Sequence, residues 1–346
     1  MNSRKIILWV LNNLIWFLLL LTVIFFALIS KHFLTRINLT NIVIHAAVIG
    51  LLVVGQVFTL VTGNFDLSSE ATLGLTALIA AWLMLPKGAP TFGGGILFSV
   101  YLAVPIMLLI GVLIGLINGL LITRLKANAF IVTLTMQLII RGVMMPITAG
   151  NTMARLPADF KFLGNNSLGP IPISVIVLVV AFAIGHIILQ YRPFGRSLFA
   201  VGGNKTAALA AGINPDRRIL QVYVISGLMA AIAGWLMAGR TGVIVQNMGQ
   251  GYIFEVMAAS VIGGISLNGG RGTMVGAFGG VLLLSTIESG LSLMRISTFW
   301  IEIASGLIIL IAMLIDAQKV RFTSSQAAPL AKISAKATAS ESAGND

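Results

Sequence analysis

Long apolar runs are the feature that most constrains how this chain can fold. Between Ile6 and Ile29 the sequence holds no charged residue, and runs of comparable length recur as far as residue 316. A membrane-spanning helix needs about 20 predominantly apolar residues. We therefore predict an all-α integral membrane protein with about ten transmembrane helices. The candidate spans are 6–30, 42–62, 67–86, 96–123, 129–148, 171–190, 219–240, 253–267, 273–291 and 298–316.

The span assignments differ in strength. The span 67–86 opens with polar residues and 253–267 is short, so eight to eleven spans are compatible with the sequence. The run 6–30 is longer than the apolar core of a signal peptide, which has about 7–15 residues, and it lacks a clear cleavage site. We therefore predict that this first run is a retained transmembrane helix.

The composition excludes the soluble classes of protein. Of 346 residues, 58% are hydrophobic and only 9% are charged, whereas soluble domains carry about 25% charged residues. A soluble core cannot bury so much apolar surface, because its outer residues must face water. A soluble enzyme, a disordered chain and a nucleic-acid binder are therefore excluded. The chain has no Cys and only three widely spaced His, so no disulfide, thiolate chemistry or zinc motif is expected.

The distribution of basic residues predicts the orientation. With the N-terminus in the cytoplasm, ten spans place both termini there, together with 14 of the 22 Lys and Arg residues. In so apolar a chain, the net charge of +12 is typical of cytoplasmic loops that face anionic lipid. We predict one transmembrane domain, 1–322, followed by a disordered cytoplasmic tail, 323–346.

Two long loops interrupt the apolar runs. The segment 149–170 is rich in Gly and Pro, and we place it outside. The segment 191–218 is the most polar internal stretch, and we place it in the cytoplasm. Its Lys205-Thr206 pair does not form a phosphate-binding loop, because the two required Gly positions hold Phe199 and Asn204. We predict a short helix over 205–211 that ends at Gly212 and serves either as a docking element or merely as surface.

A polar segment, Gly63–Glu70, lies within an apolar region and carries two carboxylates, Asp66 and Glu70. Ionisable groups at membrane depth are costly, so they usually face a cavity, a partner or a transport pathway. Three interpretations stay open for this segment. It is a cytoplasmic turn in which Asp66 or Ser68 caps the next helix, a site of solute contact, or a contact with a neighbouring subunit.

Glycines mark two further features. Gly111, Gly115 and Gly119 form a tandem ridge of small residues that lets helices approach closely, either within the subunit or in a dimer. The Gly-rich stretch 263–272 predicts a tight turn, and no strand–helix context supports nucleotide binding there. The stretch 61–68 resembles 261–268, since both set Gly and polar residues beside apolar segments. Broken helices of this kind often line transport sites, although chance similarity also explains the likeness.

Several stretches, in order, resemble a known family. The residues that carry the resemblance are Asn118–Leu120, Phe130–Leu134, Phe194–Asn204 with Ala207-Ala208 and Gly212-Ile213, Ile225–Leu228, Val261–Gly264 and Gly269–Gly272. Together they resemble the inner-membrane permease subunit of bacterial ABC sugar importers of the ribose, xylose and autoinducer-2 type. The resemblance extends from about residue 40 to residue 316.

The resemblance implies a non-enzymatic, multi-pass subunit of the bacterial inner membrane. Two permeases, identical or paralogous, would form the channel within the lipid. Two ATPase subunits would bind in the cytoplasm and carry the ATP and Mg²⁺, and a periplasmic sugar-binding protein would deliver the solute. This chain would then hold no cofactor of its own. The residues implied to couple it to the ATPase are Asn204, Lys205, Thr206, Ala207, Ala208, Gly212 and Ile213.

Two positions depart from the family's pattern. Glu70 stands where the family often has Gly, so the approach of backbones there is expected to differ. Thr206 stands where the family often has Glu before the Ala pair, which puts a coupling salt bridge at that position in doubt.

The predicted function is import of a monosaccharide or similar polyol-like solute by alternating access. Neutral polar groups suit a hydroxyl-rich solute that must also leave. The candidate pathway residues are Gln56, Asn64, Asp66, Ser68, Asn118, Gln137 and Asn268. A rival hypothesis is a proton-coupled secondary transporter that uses Glu255, Glu288 or Glu302. A membrane-embedded enzyme would need a convergent catalytic set, and the sequence offers no convincing one.

Overall fold

The computed structural model of the chain describes residues 13–85, 97–148 and 151–297, and the single positions 300, 303, 306, 307 and 310. Within these ranges the structure is almost wholly helical, as predicted. The helices are α1 Leu14–Ile29, α2 Arg36–Val61, α3 Ser69–Met84, α4 Val100–Arg124, α5 Ala129–Thr148, α6 Ala158–Asn165, α7 Ile173–His186, α8 Pro193–Gly203, α9 Lys205–Ala210, α10 Pro215–Thr241, α11 Tyr252–Ile262 and α12 Met274–Leu293. A π-helical turn, Ile187–Tyr191, extends α7.

Six of these helices are long and apolar enough to cross a membrane: α2, α4, α5, α7 with its π-helical turn, α10 and α12. The apolar helices α1, α3 and α11 are shorter, with 16, 16 and 11 residues. At a rise of about 1.5 Å per residue, α11 measures about 16 Å, roughly half of a hydrocarbon core about 30 Å thick. The two spans predicted with least support, 67–86 and 253–267, thus correspond to the part-length helices α3 and α11.

Helix α3 runs parallel to α10 and begins partway along it. Ser226 of α10 donates a hydrogen bond to Asp66, just before α3 starts. Eight residues further along α10, Gly234 packs against the backbone of Leu73. Because both helices advance in the same direction between these two contacts, α3 follows α10 from its middle towards its C-terminal end.

Helix α11 runs parallel to α2 instead. The Gln56 amide contacts the sulfur of Met257 at 3.2 Å, and beyond the end of α11 the Gly270 N–H donates to the Val61 carbonyl. Helices α2 and α10 are antiparallel, since Gly55 of α2 packs on Ser226 of α10, while Asn64, just after α2, and Ile219, near the start of α10, line the same cavity. Helices α3 and α11 therefore point away from each other, and their N-termini meet inside the bundle.

Helix α10 occupies the centre and packs against α2, α3 and α4. The three-glycine ridge of α4 faces it. A Cβ added at Gly111 would lie 2.4 Å from the Gly227 carbonyl oxygen, and one at Gly115 would lie 2.2 Å from that of Tyr223. A helix of the same chain therefore covers this ridge, at a separation that only residues without a side chain allow.

The segment predicted as a long loop, 149–170, contains regular structure in its described part. Helix α6 is followed by a short antiparallel hairpin of β1 Ser167–Leu168 and β2 Ile171–Pro172. The Trp235 indole donates to the Phe160 carbonyl, and Met153 and Ile244 exchange backbone hydrogen bonds. These contacts with α10 and the residues after it hold the segment against the bundle.

Several helix boundaries also differ from the predicted spans. Helix α2 begins at Arg36 rather than at residue 42, because the Thr35 side chain accepts a hydrogen bond from the Asn38 N–H and caps it. Helix α11 ends at Ile262, before the Gly263-Gly264 turn. The predicted span 298–316, apart from five single positions, and the predicted tail 323–346 lie outside the described residues. The single domain 1–322 stays a prediction.

Candidate functional site

Three of the predicted pathway residues meet in one buried network around Asp66, which is 1% exposed. Its Oδ1 accepts hydrogen bonds from the Ser68 N–H at 3.1 Å and the Ser68 hydroxyl at 2.7 Å. Its Oδ2 accepts from the Ser226 hydroxyl. The Asn118 side-chain amide donates to the Ser68 hydroxyl oxygen at 2.8 Å. The hydrogen-bond donors around this carboxylate are thus neutral groups.

The backbone of residues 62–68 places this network. Gly63 adopts φ of 73°, a left-handed conformation that favours glycine, and turns the chain back after α2. Ser68 occupies the N-cap position of α3, but its side chain makes no capping hydrogen bond. Asp66 instead accepts the Ser68 N–H, so the carboxylate anchors the start of α3 and joins it to α10. Asp66 therefore holds the start of α3 and is at the same time buried among polar side chains.

Two predicted pathway residues carry unused hydrogen-bond acceptors. The side-chain oxygens of Gln56 and Asn118 are buried and make no hydrogen bond with any described residue. Both residues are 0% exposed. Buried acceptors without a partner are rare and cost about 1–3 kcal/mol each. A solute hydroxyl that donates to such an oxygen would remove that cost.

A second buried network surrounds Glu70, four residues after Asp66 and 2% exposed. Its Oε1 accepts from the Gln137 amide at 2.7 Å and lies 3.4 Å from a guanidinium nitrogen of Arg141. Its Oε2 accepts the Ile253 N–H at 3.1 Å, in the first turn of α11. Arg141 also donates to the Met248 carbonyl at 2.9 Å. This carboxylate therefore connects α3, α5 and the N-terminus of α11.

The other two pathway candidates lie apart from both networks. Asn64 bonds locally to Thr62, with 2.8 Å between its amide nitrogen and the Thr62 hydroxyl. Asn268 is exposed, in the turn that packs on Gly63. The two similar stretches, 61–68 and 261–268, thus come together, because a Cβ added at Gly269 would lie 2.7 Å from the Gly63 nitrogen.

The predicted docking element is the six-residue helix α9. The Asn204 side chain caps it by accepting the Ala207 N–H at 2.9 Å, and Gly212 ends it at φ of 80°. Ala208 packs inward while Leu209 is 60% exposed. Just before α9, Gly202 packs on the Val61 carbonyl and the Gly270 nitrogen. The remaining predicted coupling residues, which are Lys205, Thr206 and Ile213, lie in or directly after this helix.

A cavity of about 430 Å³ lies beside the docking element. Its lining includes Asn64, Lys205, Lys126 and Asp216. Lys126 and Asp216 form an ion pair at 2.5 Å between the α4–α5 connection and the start of α10. The docking element, the α4–α5 connection and the Gly63–Phe65 segment thus share one end of the bundle.

Two carboxylates of the rival hypothesis, Glu255 and Glu288, both lie within electrostatic range of Tyr252 at the start of α11. Glu288 pairs with His45, with 3.2 Å between Oε2 and Nδ1. Glu255 lies in the first turn of α11, and Glu302 lies outside the described residues. Across the described part of the chain, no three His, Asp or Glu side chains are close enough to hold a metal ion.

Two residues of these networks were missed by the sequence analysis. Arg141 is a cation inside an otherwise apolar helix, and that signal marks functional positions in membranes. Ser226 lies in the stretch Ile225–Leu228 that carries the family resemblance, but a hydroxyl within a 27-residue helix gives no sign of a contact with Asp66.

The chain is similar to known transport permeases. Residues 38–314 match the family described as branched-chain amino acid transport system / permease component. The ribose import permease protein of Bacillus subtilis strain 168 is 36% identical over 87% of this chain and 91% of its own length. That of Escherichia coli K12 is 32% identical over 90% and 95%. The galactose/methyl galactoside import permease protein of Escherichia coli K12 is 32% identical over 87% and 92%. No solved structure matches the chain.

Proposed function

This chain belongs to the family of transport-system permease components, and we propose that it carries a monosaccharide or similar polyol through the bacterial inner membrane. It is a multi-pass membrane protein and a sugar import permease of the ABC type, not an enzyme. No finding favours the proton-coupled alternative. We propose a sugar as the solute because the relatives are named for ribose and galactose import.

The observation that carries the solute class is the neutral surrounding of Asp66. A sugar is uncharged and presents hydroxyl groups that both donate and accept hydrogen bonds. Ser68, Ser226 and Asn118 offer the same chemistry, and the Asn118 side-chain oxygen is a free acceptor among the described residues. A hydroxyl-rich solute can exchange hydrogen bonds with this network without leaving a charged group unpartnered.

The proposed assembly follows the resemblance. Two permeases, each with ten spans and cytoplasmic termini, form the pathway, and two ATPase subunits with ATP and Mg²⁺ bind at the α9 end. A periplasmic binding protein delivers the sugar at the opposite end. Helix α9 docks into the ATPase, since its exposed Leu209 projects from a short, capped helix that packs on α8 and α10. ATP-driven closure then shifts the bundle between two access states.

The first experiment identifies the solute that the protein transports. A strain that lacks this chain is complemented with the intact protein, and uptake of ¹⁴C-labelled ribose, galactose and leucine is compared. Restoration of ribose or galactose uptake alone supports the proposal. Restoration of leucine uptake alone would move the chain to amino acid transport, as in the family's description.

The second experiment tests docking. Leu209→Ser should abolish co-purification of an ATPase from native membranes, because it removes the exposed apolar contact of α9. Leu168→Ser is the matched control, since Leu168 is 72% exposed at the hairpin of the opposite end. Equal ATPase recovery from Leu209→Ser and wild type would refute docking through α9.

A further inference from the structure

Helix α5 is the most exposed of the six long apolar helices. Only four of its 20 residues are buried: Thr133, Ile140, Met144 and Thr148. Apolar side chains such as Leu138 and Ile139 are more than half exposed. Because few packing contacts hold α5, the attachments that it does make decide its position.

The middle of α5 is attached by polar contacts rather than by packing alone. Gln137 and Arg141 are four residues apart, so they share one face of the helix. Gln137 donates to Glu70, while Arg141 bridges Glu70 and the Met248 carbonyl. We call these residues, Glu70, Gln137 and Arg141, the Glu70 cluster.

The Glu70 cluster connects α5 to both part-length helices. Glu70 lies in the first turn of α3, and its second oxygen accepts the Ile253 N–H in the first turn of α11. A helix N-terminus carries partial positive charge, so a carboxylate at this point is held by α11 as well as by Arg141. One side chain therefore fixes three elements relative to one another.

We propose that Glu70 is a positioning residue for transport, which holds α5 through Gln137 and Arg141 and releases it when the access state changes. The inference rests on the transport function proposed above. Glu70 does not touch the solute in this scheme. It sets which of two positions α5 occupies.

The residual partners of the two charged groups make such a release feasible. If a short shift of α5 opens the ion pair, Glu70 keeps the Ile253 N–H and the long Arg141 side chain keeps the Met248 carbonyl. Separation of a buried ion pair is costly when a charge is left without any hydrogen bond. In this arrangement each group retains one bond of its own, so the pair can open and close.

The test uses the full chain with its partners in the native host. The chain has no Cys, so Gly142→Cys supplies a single thiol on a face of α5 that the chain itself leaves uncovered, where an added Cβ meets nothing within 4 Å. The variants Glu70→Gln, Arg141→Gln and the double variant are made in this background. Sugar uptake and the rate of maleimide labelling at position 142 are measured for each.

Each single variant should lower sugar uptake about tenfold and change the labelling rate about threefold, within the range of coupling effects seen for residues away from a site. The double variant removes both charges and should be inserted normally, yet its uptake should stay low and its labelling rate altered. Wild-type uptake and labelling in the double variant would overturn the proposal, because the cluster would then serve packing alone.

Two controls keep the result interpretable. Glu288→Gln alters another acid, which pairs with His45 away from α5, and should leave labelling at position 142 unchanged. Arg141→Lys keeps the charge if the Gln variants fail to insert. It should shift both readouts, since an ammonium lacks the fork that reaches Glu70 and Met248 together, and wild-type values would overturn the inference. Absence of sugar uptake in the wild type would instead refute the proposed transport function. The labelling rate at position 142 would then still test whether the Glu70 cluster holds α5.

Discussion

Asp66 and Glu70 lie four residues apart at the start of α3, and both are almost fully buried, yet their surroundings are opposite in kind. Asp66 is held by two hydroxyls and a backbone N–H. Glu70 is held by a guanidinium, an amide and a helix N-terminus. The first carboxylate is stabilised by hydrogen bonds to neutral donors, whereas the second takes part in an ion pair.

This difference separates two tasks that one polar segment performs. Neutral hydrogen bonds exchange readily with those of a solute, because donor and acceptor can be replaced by another hydroxyl. An ion pair in a medium of low dielectric is harder to replace, since removal of one partner leaves a buried charge. We infer that the Asp66 network suits solute contact and that the Glu70 cluster suits the placement of helices.

The largest expected effect comes from Arg141→Ala. It leaves the Glu70 carboxylate buried without its cation, so the permease should lose about 3–5 kcal/mol of unfolding free energy. The measurement is denaturant unfolding of the purified protein in detergent, followed by Trp fluorescence. The double variant Glu70→Ala/Arg141→Ala should recover most of the loss. A double variant as unstable as the single one would show that Arg141 acts through Met248 rather than through Glu70.

Contacts between residues close together in the chain could be predicted from the sequence, whereas contacts between distant residues could not. One of the three interpretations of Gly63–Glu70 was a turn in which Asp66 or Ser68 caps the next helix, and it rested on a local pattern, because such bonds form between neighbours in the chain. The bounds of α5 coincide with the predicted span 129–148, since Asn128 precedes a mostly apolar run and Gly150 follows soon after its end.

The Glu70 cluster and its partner Ile253 join three helices, α3, α5 and α11, and no pattern in the sequence relates one helix to the next. The part-length helices were indicated only indirectly, by a polar start in 67–86 and by the short length of 253–267. The depth at which they begin depends on the packing of α2 and α10, which the local sequence does not specify. The likeness of the two stretches was the only feature of the sequence that related 61–68 to 261–268.

A smaller effect is expected for Ser226→Ala. The substitution removes one hydrogen bond to a charged acceptor and leaves the other two partners of Asp66, so the loss should be about 1.5–3 kcal/mol in the same unfolding measurement. Ser285→Ala is the matched control, because the buried Ser285 hydroxyl makes no hydrogen bond with the described residues. Equal losses for the two variants would mean that Ser226 contributes by filling space and not through Asp66.

The smallest effect on stability is expected for Asp66→Asn. The amide oxygen can still accept from Ser68, and the amide nitrogen can donate to the Ser226 hydroxyl, which reverses its role from donor to acceptor. The loss should therefore be about 1 kcal/mol or less, whereas Glu70→Gln should cost clearly more because Arg141 keeps its charge. Sugar uptake by Asp66→Asn should fall even though the fold is kept, since the network loses its strongest acceptor. A stability loss as large as that of Arg141→Ala would break the comparison, because it would require a cation near Asp66 in the folded protein.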